Sequence, residues 1–384
     1  MKYTVNDVMT FIEENDVKFI KLAFCDVRGK LKIISIQPPM LDKAFSTGIP
    51  IKPKLIEGFG HGVEDVYIKP DIDTMCTLPW RPSHGSVIRF FCDIVKKDGT
   101  PFACDTRNVL REVSKKVIAN DMRVKISNGI EFYLFKNDEE GNPTEIPFDR
   151  AGYMDEAPDD KGEDIRRDIC LTLEDMGITP TASHHNAGPG QNEVDFIESS
   201  PMSAADNVVA YRSVVKNMAD RSGLHASFRP KPLQDECGNS FRIKFAPRYK
   251  GSHCDEPFLA GLIRRCAEIT AVLNSRDESY DRLGDSEIPD TVTWKNKSGR
   301  NIFNIDHEEG TVEIISPDSS ANPYLAYALL LAAGMEGVLD YITLRDVHEV
   351  SLPGSLGEAK LICRDSDFVK SVLPPELLNT VAGR

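Results

Sequence analysis

Apolar and polar residues alternate roughly by twos over Val17-Lys18-Phe19-Ile20-Lys21-Leu22-Ala23-Phe24 and again over Leu31-Lys32-Ile33-Ile34-Ser35-Ile36. Asp26-Val27-Arg28-Gly29-Lys30 lies between them, so the pattern predicts a hairpin. Ser86 to Ile94 predicts another strand, closed by Lys97-Asp98-Gly99. The stretch from Phe45 to Gly62 is interrupted by Gly and Pro and reads as a long loop. Helical spacing sets in after Thr100-Pro101-Phe102. Arg107 to Ala119 carries Val109, Leu110, Val113 and Val117 at intervals of three and four. Val124 to Phe135 reads as a strand. Glu163 to Met176 and Ala204 to Ser222 read as helices stopped by Gly177 and Gly223, residues suited to a helix C-terminus. Pro257 to Leu273 reads as a further helix of this half. Ala321 to Leu339 is apolar nearly all round, the mark of a core helix.

The chain has 384 residues, more than one core usually supports, so two domains are expected, divided as 1–100 and 101–384. Asp and Glu number 60 against 46 Lys and Arg, a net charge of −14 that argues against nucleic acid as a partner. The start, Met1 to Asp7, has no apolar core of a secretory signal, and no run of about 18 apolar residues occurs, so no membrane span is expected. None of the nine cysteines falls in a CxxC pair. That usage fits reduced thiols, and the expected compartment is the cytoplasm.

Three short strand-like segments each carry a glutamate among apolar residues: Glu131, Glu193 and Glu313. Neighbouring strands would converge their carboxylates in a half-buried place, where a cation or proton must answer them. Spacing alone equally accommodates three separate salt-bridged glutamates. His184 and His185 are adjacent, so their rings point to opposite faces of a strand and do not readily share one metal. Phe241-Arg242-Ile243-Lys244-Phe245 alternates strictly and puts Arg242 and Lys244 on one face.

The ordered set Glu131 to Phe135, His184-His185, Gly190 to Phe196, Pro230 to Leu233 and Ala321 to Ala326 is similar to the motifs of glutamine synthetases. So are Leu78-Pro79-Trp80, Cys92-Asp93-Ile94, Asp105-Thr106-Arg107 and Gly152 to Asp155. Order and gaps match from about residue 15 to about residue 365. The resemblance implies an α+β fold: a small β-grasp-like N-terminal domain, then a larger catalytic domain with an antiparallel sheet and flanking helices. It implies ATP-dependent ligation of glutamate and ammonia with two divalent ions, and homo-oligomers built as a hexameric ring or double ring. The segment that stacks two rings is expected to be missing beyond Leu352 to Leu356 and the following helix.

Residue by residue, the resemblance makes Glu131, Glu193 and Glu313 metal ligands and Glu287 the flap glutamate that takes the last proton. Arg282, with spacing one residue short, holds the substrate carboxylate, and Gly238 falls in the substrate-binding stretch. Other positions depart from the pattern. Asn186 and Gly129 stand where metal-binding glutamates should, and Arg242 and Lys244 replace the two histidines of a His-x-His strand. Thr311 and Ile315 replace phosphate and substrate arginines, Lys297 replaces another arginine, and Ser46 stands for the ammonium-binding aspartate. Two carboxylates fewer and two cations more leave the site about four charge units more positive, which disfavours Mg2+ and ATP. The retained acids and new cations are expected to pair, with Arg242 standing where a metal would.

Three functions follow from this pattern. The first is a homologue with weak or absent ligase activity, binding a small amino-acid-like or anionic ligand or joining a true glutamine synthetase. The second is an active ATP-dependent carboxylate–amine ligase, of the glutamine synthetase or γ-glutamyl-amine type. The third is a structural oligomer.

Overall fold

The computed structural model describes residues 3–60, 64–81, 84–285, 287–295 and 300–383. The N-terminal helix Val5–Glu14 starts at Thr4. Its hydroxyl accepts from the Asp7 N–H at 3.2 Å while the Asp7 carboxylate accepts from the Thr4 N–H at 2.7 Å. The predicted hairpin forms from Val17–Cys25 and Leu31–Ile36. The Asp26 carboxylate closes its turn by accepting from the N–H groups of Arg28 and Lys30. Ser86–Val95 lies parallel to Val17–Cys25, which places both in the middle of a six-stranded sheet.

The stretch read as a loop from residue 45 is more ordered than expected. Ile49–Ile51 is the edge strand of this sheet, paired with Val66–Pro70, and Pro53–Leu55 is a short 3-10 turn. Proline at Pro50 is tolerated because an edge strand needs only one row of partners.

The second sheet has nine strands. Its main path runs Phe303–Asp306, Thr311–Ile314, Phe241–Tyr249, Met122–Asn137, Gln191–Ser199, Pro180–His185, with every neighbour antiparallel. One face is apolar: Ile130, Phe132, Val194, Phe241, Ile243, Phe245, Val312 and Ile314 are fully buried. Helices Pro201–Arg221 and Pro323–Leu339 cover it, with Tyr211 edge-on to Phe196 at 4.9 Å and Tyr327 beside Phe241 at 6.0 Å. Each such side chain contributes about 1.5–3 kcal/mol by burial. Helix Asp255–Leu273 crosses Pro323–Leu339 backbone to backbone, because Gly261 and Gly337 leave no side chain between them.

The two sheets are joined through buried charge. Arg107, at the start of helix Thr106–Ala119, reaches Asp93 at 2.6 Å and Asp71 at 2.9 Å in the smaller sheet's strands and turns. It also holds both oxygens of Asp206, in helix Pro201–Arg221, at 3.0 and 2.8 Å. The Tyr324 hydroxyl donates to Asp206 as well, at 2.7 Å. Asn322 caps the following helix at Tyr324 and donates to the Val27 carbonyl in the hairpin turn.

Candidate functional site

The polar face of the nine-stranded sheet collects the chemistry. Register places Glu193 between Glu131 and His184, Gly129 opposite both Asp195 and Arg242, and Lys244 opposite Glu313, which in turn faces Asn304. Side chains two apart share a face, so all of these project to one side.

Arg242 fills the middle. Its Nε donates to Glu193 Oε1 at 2.7 Å, and Nη2 donates to the same oxygen at 2.5 Å and to Asp195 Oδ1 at 2.9 Å. Nη1 lies 3.5 Å from Glu313 Oε1. Burial alone would push the guanidinium pKa down, but Glu193, Asp195 and Glu313 more than offset it and raise it. The space comes from Gly129. A Cβ there would lie 2.5 Å from Glu193 Oε1 and 2.7 Å from Arg242 Nη2, and would overlap Asp195 as well. A side chain at 129 and the guanidinium of Arg242 exclude each other.

Beside this knot, the Asn186 amide bridges the two central carboxylates, donating to Glu131 Oε1 at 2.9 Å and Glu193 Oε2 at 3.1 Å. Its Oδ1 accepts from the Ala187 N–H, which fixes the amide with the donors inward. Glu131 also accepts from the Ser240 N–H at 2.7 Å and from Gln191 Nε2 at 3.1 Å. Burial, then the charge of Glu193, pushes the Glu131 carboxyl up. Burial likewise raises Glu193, against the opposing pull of Arg242.

This arrangement does not fit a divalent ion. Glu193 and Glu313 already share a guanidinium, and the donors of Asn186 point at the oxygens a metal would need. Asp149, Asp160 and His185 bring one ligand-type atom each within 4.8 Å of one another on the far side of the 180–185 strand. There Arg166 already binds Asp160 through both nitrogens, and Asp149 accepts from His185, Gly190 and Lys161.

A cleft opens over Glu131, Gln191, Gly238 and Arg242, and Glu287, Arg300 and Ile315 also line it. Arg300 pairs with Glu287 there. Arg282 is a correction to the sequence-based expectation. It is 0 % exposed, and its terminal nitrogens are spent on Ser240 Oγ, Asn274 Oδ1 and the Ser316 carbonyl, so the cations that line the cleft are Arg242 and Arg300. Gly238 makes room for the Arg282 stem, which would overlap any Cβ at that position.

Lys244 turns outward to Glu309 at 2.9 Å. Thr311 is buried with its hydroxyl unpartnered, and the Ser46 hydroxyl turns back on the carbonyls of Asp42 and Lys43 within its own helix. Lys297, with Asn296 and Ser298, lies outside the described residues, as does Ser286. Asp195, Gln191, Ser240 and Arg300 were not singled out from the sequence. Asp195 could have been, because it sits two residues beyond Glu193 and therefore on the same strand face. Arg300 carries no such signal.

The site makes a prediction about stability. Glu131 and Glu193 are raised by burial, Asp105 is pushed up to about 7 by burial and Asp93, and His185 is raised by Asp149 against the effect of burial. All four have folded pKa values above their unfolded ones, so the folded chain holds more protons between about pH 4 and 8. Stability therefore falls as pH rises through that window, with burial of His184 opposing weakly. Urea unfolding is expected to give a free energy about 2 kcal/mol larger at pH 6 than at pH 8.5. A stability that climbs with pH over this range would contradict the assignment.

A β-grasp-like sheet feeding a larger antiparallel sheet with a carboxylate-lined polar face defines a class of ligase folds. Residues 16–97 match the glutamine synthetase beta-Grasp domain and residues 103–380 the glutamine synthetase catalytic domain. The chain belongs to the glutamine synthetase family. It is 35% identical to a glutamine synthetase of Clostridium saccharobutylicum, over 100% of this chain and 94% of that one. It is 34% identical to a glutamine synthetase of Staphylococcus aureus strain MW2, over 98% and 92%. Among solved structures, GmaS in an ADP complex has the same fold, with a TM-score of 0.87 at 24% identity over 98% of this chain and 94% of that one. Apo GmaS matches with a TM-score of 0.85 at 25% identity. Among the described residues no helix is long and apolar enough to cross a membrane.

Proposed function

We propose that this chain is a glutamine synthetase homologue whose metal and nucleotide site is built around an internal guanidinium. Its Mg-ATP-dependent glutamate–ammonia ligase activity is weak or absent, and its cleft holds a small amino-acid-like or anionic ligand. The observation that carries this reading is Arg242, bonded to Glu193 and Asp195 and beside Glu313, in the space that Gly129 leaves. A fixed guanidinium supplies positive charge to those carboxylates, but it has no open coordination position for phosphate oxygens. The polar groups that line the cleft, Glu131, Glu287 and Arg300 among them, suit a ligand bearing both charges.

The reading includes a division near residue 100, a homo-oligomeric ring or double ring, a mixed assembly with a complete synthetase, and a cytoplasmic location. Nine free cysteines support a reducing compartment. A second reading, an active ATP-dependent carboxylate–amine ligase, is favoured by the 35% identity to a glutamine synthetase and by Glu287 and Glu131 lining one cleft.

The two readings separate in one set of measurements. Calorimetric titration with MnCl2 and with Mg-ATP is expected to show no saturable binding below millimolar concentration, while glutamate raises the melting temperature. Phosphate release in the presence of glutamate, ammonium and Mg-ATP is expected to stay at background. Turnover that Glu131→Ala abolishes would overturn the first reading and establish the second.

A further inference from the structure

Four arginines of the described chain are almost wholly buried: Arg89, Arg107, Arg166 and Arg282, exposed by 4, 3, 5 and 0 %. In three of them both terminal nitrogens are engaged, although the Nε atoms of Arg166 and Arg282 are, like that of Arg89, buried without a partner. Arg107 holds three aspartates, Arg166 holds Asp160 and Asn192, and Arg282 holds Ser240, Asn274 and Ser316. Arg89 is the exception. Among the described residues no hydrogen bond or ion pair joins its guanidinium to the protein, and its Nε is sealed from solvent without a partner. Its one directed contact is the Phe91 ring, 4.3 Å from its Cζ.

The surroundings add positive charge. Lys21 is the register partner of Arg89 on the parallel strand Val17–Cys25, so the two side chains share a face. Burial, then the charges of Arg81 and Arg89, pushes the Lys21 ammonium down, and neither Lys21 nor Arg81 pairs with a carboxylate among the described residues. Asp206 exerts some pull on Arg89, but its oxygens are already taken by Arg107 and Tyr324. On its other side, Arg89 is the register partner of Cys76, whose thiol lies 3.8 Å from the Met176 carbonyl. Arg221 donates to the Trp80 carbonyl nearby, and Trp80 Nε1 is itself buried without a partner. The cluster thus lies at the seam between the smaller sheet and the helices of the larger unit.

An isolated buried guanidinium costs several kcal/mol, and a neighbouring ammonium makes it worse. A bound anion removes both penalties, and a guanidinium fork matches the two oxygens of a carboxylate or phosphate. We infer that Arg89, with Lys21 beside it and the exposed Arg81 within charge range, forms a binding site for a small oxyanion, a phosphate or a carboxylate, at this seam. The site is separate from the cleft of Glu131 and Arg242 and does not depend on the function proposed for it.

The test uses the full chain in a zwitterionic buffer low in chloride. Melting temperature and calorimetric affinity are measured with sodium phosphate and, separately, sodium succinate, against sodium chloride at equal ionic strength. One of the two anions is expected to raise the melting temperature beyond chloride, and the stronger arm identifies phosphate or carboxylate as the ligand chemistry. Arg89→Gln is expected to weaken that binding about tenfold or more. Lys21→Gln, a milder change on a half-exposed residue, should weaken it too and covers the case in which Arg89→Gln folds poorly. Equal response to chloride, or affinity unchanged in both variants, would overturn the site. So would an anion-insensitive chain whose oligomer falls apart on Arg89→Gln, since a second copy would then supply the missing carboxylate.

Discussion

Arg242→Met is expected to destabilise the folded chain by about 3 kcal/mol at pH 8, read from urea unfolding. Glu193 is 3 % exposed and would lose both of its hydrogen bonds from the guanidinium at once, while Asp195 and Glu313 would lose a shared partner. The lower end of the range for a broken buried pair applies, because the Arg242 side chain is itself 32 % exposed and solvent screens part of the loss. Without the guanidinium, the already raised Glu193 carboxyl moves further up. The loss is then largest where the carboxylates are ionised and shrinks toward pH 5, because a protonated Glu193 needs no counter-charge. Combining Arg242→His with Gly129→Glu removes the cation and adds an acid in the space it leaves. This double variant is expected to gain a melting-temperature rise with MnCl2 that the wild type lacks. Gly129→Glu alone should show none and should be destabilised, since its Cβ would fall 2.7 Å from Arg242. A wild-type chain that manganese stabilises as strongly as the double variant would defeat this account of the site.

Arg107→Met is expected to cost about 4 kcal/mol, the largest effect of any change proposed for this chain. The side chain joins Asp71 and Asp93, which belong to the smaller unit, to Asp206 of the larger one. Arg111 would remain on Asp71 and Asp93, leaving Asp206 with only the Tyr324 hydroxyl. Burial pushes the Asp71 carboxyl up, but Arg107 and Arg111 more than offset this and hold it below its ordinary value. Its contribution is therefore present above pH 4 and lost in stronger acid, so wild type and variant should converge as pH falls through that range. Urea unfolding followed by tryptophan fluorescence and by circular dichroism should separate into two transitions in the variant, as the units lose their tie. Coincident transitions with unchanged midpoints would show that Arg107 does not join them. Arg107→Lys should recover only part of the loss, because an ammonium cannot hold three carboxylates through a planar fork.

Much of this molecule is legible along the chain, because the determinants are local. Alternation by twos marks the hairpin at Val17–Cys25 and Leu31–Ile36, and threes and fours mark Thr106–Ala119. Gly177 and Gly223 end their helices with positive φ, as their positions imply. The same alternation puts Glu131, Glu193, Glu313, Arg242 and Lys244 on polar strand faces before any fold is known. The ordered motifs tie those faces to one family, and within it Gly129, Asn186 and Arg242 stand out as departures.

What the sequence could not decide depends on who faces whom across strands. Arg242 and Lys244 are two residues apart on one face, yet one turns inward and the other outward. Arg242 is opposite Gly129, which leaves a hole lined by carboxylates, whereas Lys244 is opposite Ser127 and finds Glu309 at the rim. Arg282 looked like a ligand-facing cation, but Gly238 lets its stem pass inward, where three internal acceptors hold it. Arg89 is one polar residue in a largely apolar strand until packing buries it without a partner. Periodicity determines which face a side chain occupies. Only the register of distant strands decides whether a charge there meets a partner, a vacancy or another charge, because Coulomb and hydrogen-bond terms act over a few ångströms of space and not along the chain.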